Sequence, residues 1–377
     1  MITASGLGLL LASLWIEHTR PVILPSPTGT FGVARSLLVW HDQNPPGTVR
    51  QPVRELLVWF WYPADGATGL TDYLPENVRI ATDSHRGTLI ASFLTHDLAK
   101  VRSHARDRAA ISGRQAEYPV VLLRAGGSSA VWNYTSLAED LASHGYVVVG
   151  IDAPLRTSLV VMPDGRVIHG DAANDLDRLA GDALNRRANE LVADWSRDLS
   201  LVLDKLTVLN GSDPTFARHL DLTRVGVMGH SFGGAQAAQF CHDDPRCKAG
   251  IDLDGQLFGH VVKTGIGRPF LFVLSDHHRE PVEQTGPIRR DLESVFNRLP
   301  PGQRGWVEIT GANHFFFGDD ASLLKSRLLI GLLRLVGIVR LDGARQLAVT
   351  ADATHRFFDK HLGSAERPRP DTGGSGR

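Results

Sequence analysis

The stretch Arg224-Val225-Gly226-Val227-Met228-Gly229-His230-Ser231-Phe232-Gly233-Gly234-Ala235 decides the fold. Val225, Val227 and Met228 form a short apolar run of the kind a buried parallel strand carries. Gly229 to Gly233 spells G-x-S-x-G, and a helix-compatible run follows through Phe240. Strand, G-x-S-x-G and helix in that order predict a nucleophile elbow. Such a turn holds a serine Oγ out of the backbone, beside helix N–H groups that have no intrahelical acceptor. The competing reading is a glycine-rich turn with an incidental serine. The strand-like and helix-like flanks favour the elbow.

A serine hydroxyl needs a base to take its proton, and the base needs an acceptor that fixes its tautomer. In the chain order Ser…Asp…His both partners lie downstream of Ser231. His314, in Thr310-Gly311-Ala312-Asn313-His314, follows the last strand-like run, with Phe315-Phe316-Phe317 behind it. His277 and His278 are rivals on an earlier loop, and a solvated surface histidine is the plain alternative. The acid stays open on the residues alone. Asp254 ends one strand-like run (GIDLDG) and Asp276 ends the next (FLFVLSD); either carboxylate can reach His314 from there. Asp276 is at least as attractive, because that strand end often carries the acid in folds of this kind. Asp252 shares the face of Asp254, one pleat deeper. For an oxyanion, one expected donor is the N–H of Phe232. The other is that of Gly127, in the Arg124-Ala125-Gly126-Gly127 loop; that loop also reads as a plain tight turn.

Around these motifs, strand-like and helix-like runs alternate. Tyr118–Leu123, a helix carrying Leu137 and Leu141, and Tyr146–Ile151 form one strand-helix-strand unit, with Gly145 stopping the helix. Ala249–Leu253, Pro269–Leu274 and Trp306–Ile309 read as later strands, and Leu56–Tyr62 as an earlier one. This rhythm predicts an α/β chain with a mostly parallel sheet. Thr88–Val101 reads as an amphipathic helix packed on the core or serving as a lid. Asn185–Leu209, Leu323–Val336 and Ala344–Leu362 read as helices, the second of them largely buried. Residues 152–182 interrupt the rhythm at a strand's carboxyl end, with a turn at Pro163-Asp164-Gly165, and are expected to cap the substrate.

The chain has 377 residues, 42% hydrophobic and 21% charged, enough for one large domain. Its formal net charge of −1 argues against a nucleic-acid partner. Cys241 and Cys247 cannot form a disulfide framework, and free thiols are expected, although Pro245 permits a turn that would bridge them. Residues 1–24 begin with an apolar, nearly charge-free run. In order of preference it reads as the remnant of a membrane anchor, an uncleaved export signal, or a helix packed on the domain. Export or membrane association is the corresponding expectation, with a cytoplasmic location as the alternative. Residues 25–363 form the expected catalytic domain. Residues 364–377 are rich in Pro, Gly and charge and are expected to be disordered.

Taken in series, PTGTFGV, VWFWYPADG, LAEDLASHGYVVVGID, VGVMGHSFGGA, CKAGIDLDG, ITGANHFFF and FFDKHLG resemble the α/β-hydrolases of the platelet-activating-factor acetylhydrolase type and their bacterial relatives. The resemblance runs from about Pro25 to Gly363. It implies the α/β-hydrolase fold, with helices on both faces of the sheet and a cap-like insertion. It also implies a triad of Ser231, Asp254 and His314, with Gly127 as the second oxyanion donor. Arg124-Ala125-Gly126-Gly127 departs from the His-Gly pair usual in that loop, so loop geometry and substrate fit can differ here. The implied chemistry is metal- and cofactor-free hydrolysis of short or truncated acyl esters, often of phospholipids. Small-molecule or lipid esters are the expected partners, with contact to a membrane surface. A general carboxylesterase or polyester-degrading hydrolase is the alternative, and a non-catalytic binding protein on the same fold a lesser one.

Overall fold

Two strands that bracket the reading above lie side by side at the centre of a nine-stranded sheet, with Val225 opposite Val120 and Met228 opposite Leu123. The computed structural model describes residues 4–42, 54–66, 69–86, 95–276, 282–323, 335 and 341–363. In chain order the sheet strands are β1 (Gly32–Asp42), β2 (Arg54–Ala64), β3 (Arg106–Asp107), β4 (Tyr118–Arg124), β5 (Val147–Asp152), β6 (Leu220–His230), β7 (Cys247–Leu253), β8 (Phe270–Leu274) and β9 (Arg304–Glu308). Their spatial order is β9-β8-β7-β6-β4-β5-β2-β1-β3. Only β2 runs against its neighbours; the other pairings are parallel.

Alternation along the strands sorts the core into two layers. Val121 and Leu123 of β4 join Leu137 and Leu141 of α3 (Thr135–Ser143) and Phe357 and Phe358 of α7 (Gly343–Leu362). Val120 and Leu122 join Val202 of α4 (Gly181–Ser212), Phe240 of α5 (Phe232–Asp243) and Val295 of α6 (Val282–Arg298). Both faces are therefore covered, which is why the central strands read as continuous apolar runs rather than as alternating ones. Parallel pairing leaves the carboxyl ends of β4, β6, β7, β8 and β9 on one rim, and Gly127, Ser231, Asp254, Asp276 and His314 follow those ends in the chain.

Several expectations change. The long strand β1 was not foreseen: it pairs antiparallel to β2 from Gly32 opposite Ala64 to Asp42 opposite Arg54. The helix expected over Thr88–Val101 is not found in the described part of that stretch, residues 95–101. Leu98–Lys100 is a 3₁₀ turn and Val101–Ser103 a strand, because Asp97 accepts the N–H of Ala99 and turns the chain. The rest of that stretch, residues 87–94, lies outside the described residues, as do His277, His278, 324–334 and 364–377. Leu335, within the predicted buried helix, is exposed.

Cys241 and Cys247 are not free thiols: they form a disulfide. The turn from the end of α5 into β7 brings their Cα atoms to 5.0 Å, within bridging range. The apolar amino-terminal run forms helix α1 (Ala4–His18), only 15 residues long, and α2 (Glu76–Arg86) follows β2. Among the described residues no helix is long and apolar enough to cross a membrane, so a spanning anchor is not found. Residues 152–182 contain a small hairpin, Leu159–Val161 with Val167–His169, closed around Pro163-Asp164-Gly165.

Candidate active site

Ser231 stands between β6 and α5 with φ 53° and ψ −122°, a backbone conformation that ordinary side chains avoid. Close packing enforces it. A Cβ on Gly229 would lie 2.2 Å from the carbonyl carbon of Gly233, so no larger residue fits at that corner. The Ser231 N–H donates to the Leu253 carbonyl at 2.8 Å, tying the elbow to the end of β7. The next residue is Asp254, itself at φ 58°.

The Asp254 side chain is fully buried. Its Oδ1 accepts the Ser275 N–H at 2.7 Å; its Oδ2 accepts the Ser275 hydroxyl at 2.6 Å and His314 Nδ1–H at 2.8 Å. A carboxylate is acceptor-only, so Nδ1 carries the hydrogen and Nε2 of the neutral ring is left to receive a proton. Asp276 does different work. Its Oδ2 accepts the Gly311 N–H at 2.8 Å, which braces the loop carrying His314. Gln346 of α7 holds the same loop from behind, accepting the Asn313 N–H at 2.9 Å and donating to the Asn313 carbonyl at 2.8 Å. Asp252 is completely buried behind the elbow, and Gly255 N–H donates to its Oδ1. Burial, and then the adjacent Asp254 charge, push its carboxyl well above the usual carboxylate range.

Phe232 is the first residue of α5, so its N–H lacks an intrahelical acceptor. Gly127 takes φ 46° in an exposed loop at the end of β4. That loop presses on the elbow: a Cβ on Gly126 would lie 3.1 Å from the Ser231 Cβ. Trp195, Phe258 and Leu191 pack around Phe232 as an apolar wall, and Phe315 stands 69% exposed next to His314. Residues 152–182 reach this region directly. The Ser158 N–H donates to the Ser128 carbonyl at 2.7 Å, Leu176 packs on the Phe232 cluster, and Arg156 pairs with Asp194 and Asp198 of α4. Beside the Ser128–Ser158 contact lies a cavity of about 230 Å³, lined by Ser129, Trp132, Ser158, Leu159 and Asp320 among others.

Among the described residues, one group has metal-ligating side chains close together: Asp140, His144 and His355. The two imidazoles stack at 4.2 Å with planes 11° apart. Their in-plane lone pairs therefore run parallel and do not converge on one ion, and no metal is assigned there.

Residues 204–371 match the family model described as platelet-activating factor acetylhydrolase, isoform II. A probable 1-alkyl-2-acetylglycerophosphocholine esterase of Arthroderma benhamiae is 27% identical over 90% of this chain and 88% of its own length. A platelet-activating factor acetylhydrolase of Bos taurus is 28% identical over 66% of this chain, but the match spans only 58% of the bovine protein. The solved structure of a ferulic acid esterase from Streptomyces cinnamoneus superposes with a TM-score of 0.69 at 26% identity, covering 94% of this chain and 97% of that one. The chain has the α/β-hydrolase fold and is similar to the platelet-activating-factor acetylhydrolases. The family match contains Ser231, Asp254 and His314; the Gly126-Gly127 loop lies outside it.

Sequence reasoning overlooked four supporting residues of this α/β-hydrolase site: Ser275, Gln346, Tyr134 and His230. Ser275 carried a signal, since it immediately precedes the rival Asp276. Gln346 carried none, because its contact crosses from a distant helix.

Proposed function

We propose that Ser231, His314 and Asp254 act as nucleophile, base and orienting acid of a carboxylic ester hydrolase. The observation that carries this reading is the Asp254–His314 hydrogen bond, set beside a serine held at positive φ. In this reading the Ser231 Oγ attacks the ester carbonyl and its proton passes to His314 Nε2. The N–H groups of Phe232 and Gly127 hold the oxyanion. His314 then returns the proton to the departing alcohol, and a water activated by the same imidazole releases the acyl group. Residues 152–182 are assigned as the cap of the catalytic domain.

The substrate class we assign is short or truncated acyl esters, including those of phospholipids, by analogy with the fungal and bovine relatives. The near-complete overlap with a ferulic acid esterase supports a second reading, a general carboxylesterase acting on soluble esters. Helix α1 exposes Leu7, Leu9, Leu11, Trp15 and Ile16, which suits contact with a lipid surface. The Cys241–Cys247 disulfide suits an oxidising, exported setting.

A fluorophosphonate probe tests the chemistry: wild type labels and Ser231→Ala does not. Failure of the wild type to label removes the reading. Rates on p-nitrophenyl acetate against micellar truncated phospholipid separate the two substrate readings, with a rise at the micelle expected for the lipid one.

A further inference from the structure

Behind the nucleophile, a single line of hydrogen bonds joins two loops that are far apart in the chain. The Gly126 N–H donates to the Tyr134 hydroxyl oxygen at 3.2 Å. Tyr134 Oη and His230 Nδ1 are 2.7 Å apart. His230 Nε2 lies 2.9 Å from the His314 carbonyl oxygen. The two ends fix the direction of the whole line. A carbonyl can only accept, so Nε2 carries the ring hydrogen. Nδ1 of the neutral ring is then bare and accepts the Tyr134 O–H, and the Tyr134 oxygen accepts the peptide N–H. Tyr134 and His230 each donate once and accept once, and such chains strengthen their links cooperatively.

We infer that Tyr134 and His230 are positioning residues that hold the oxyanion loop and the His314 loop in fixed relation across the elbow. This rests on the hydrolase reading above. One end of the line is the residue preceding Gly127, the assigned oxyanion donor; the other is the backbone of the assigned base. His230 itself immediately precedes the nucleophile. The fit is tight: a Cβ on Gly126 would meet His230 Nδ1 at 2.8 Å. His230 is buried, its ring 4.6 Å from that of His314 and 5.7 Å from that of Phe317. Burial and the neighbouring His314 push its pKa down to about 3, partly opposed by Asp254, so the ring stays neutral while His314 cycles its proton. The side chain between the glycine and the serine thus serves as a strut, not as a second base.

The test compares Tyr134→Phe, His230→Gln and the double variant on p-nitrophenyl acetate, with an alkyl trifluoromethyl ketone as oxyanion-hole ligand. Tyr134→Phe should lower kcat by about 10- to 100-fold and leave KM within about threefold, since loss of a whole oxyanion donor costs about 100-fold or more. Ketone affinity should fall by a similar factor, and the double variant should lose no more than His230→Gln alone. A folded Tyr134→Phe with kcat within about twofold of wild type overturns the inference, as does a loss carried by KM with ketone affinity intact. If Tyr134→Phe does not fold, ¹⁵N spectra of the wild type decide: the Nε2–H tautomer of His230 is expected, and the Nδ1–H tautomer overturns it. A wild type that ignores the fluorophosphonate probe fails the hydrolase reading instead, a result the tautomer measurement does not depend on.

Discussion

Ser275 grips Asp254 twice, with its backbone N–H on one carboxylate oxygen and its hydroxyl on the other. The hydroxyl shares Oδ2 with His314 Nδ1, so it fixes the lone pair left for the imidazole. Ser275→Ala removes that second hold and keeps the first. We expect kcat on p-nitrophenyl acetate to fall by about tenfold, consistent with the roughly 1.5 kcal/mol of one hydrogen bond to a charged group. An unchanged kcat would mean that the backbone N–H alone orients the carboxylate.

Asp254 and Asp276 separate cleanly by substitution. Asp254→Asn leaves the acid's shape but presents the wrong partner to Nδ1, and in a triad such a change costs about 10⁴ in kcat. Asp276→Asn keeps an acceptor for the Gly311 N–H and should cost less than about tenfold. Equal losses at both positions, from kcat measured side by side, would contradict the assignment of roles.

The pH dependence of stability has a sign that follows from three buried acids. Asp152, Asp319 and Glu139 are each raised to about 7, mainly by burial. In the unfolded chain these groups ionise near pH 4. Their protonated, folded form therefore contributes stability that is complete below pH 4 and lost as pH rises through about 7. His230, lowered to about 3, works the other way: its contribution is full above about 6.5 and lost on acidification. Between pH 6.5 and 8 these acids still change while His230 no longer does, so Tm should fall across that window. Thermal denaturation at half-unit steps checks this, and a rising Tm there would refute it.

Reduction of the Cys241–Cys247 bridge should lower stability without silencing the enzyme. The bridge closes a short loop at the far end of α5 from Ser231. Chain-entropy arguments put the loss at about 2 kcal/mol, or a few degrees in Tm. Differential scanning with and without reductant, alongside fluorophosphonate labelling, measures both effects. Loss of labelling in a folded, reduced sample would tie the bridge to the elbow instead.

What could be read from the sequence was local. Gly229-His230-Ser231-Phe232-Gly233 states its own geometry, because a sharp turn needs its glycines at fixed offsets. The choice between Asp254 and Asp276 was not readable, since both end adjacent parallel strands and only the direction of each side chain distinguishes them. β1 escaped because it pairs antiparallel near one edge of the sheet, where apolar and polar residues mix. The free-thiol expectation failed for a related reason: the five residues between two cysteines do not reveal whether the chain doubles back. Tyr134 and His230 each look ordinary alone, and only the fold gives them a shared line of bonds.

The Ser158–Ser128 hydrogen bond has a consequence for which molecules can be processed. It fastens the 152–182 segment, the proposed cap, to the same short loop that carries Gly127. In that reading, an ester bulky enough to displace the segment would pull on that loop and disturb the proposed grip on its own carbonyl oxygen. If the segment is the cap, selection by size and speed of turnover would be joined in one linkage, and oversized esters would be expected to lose kcat as well as affinity.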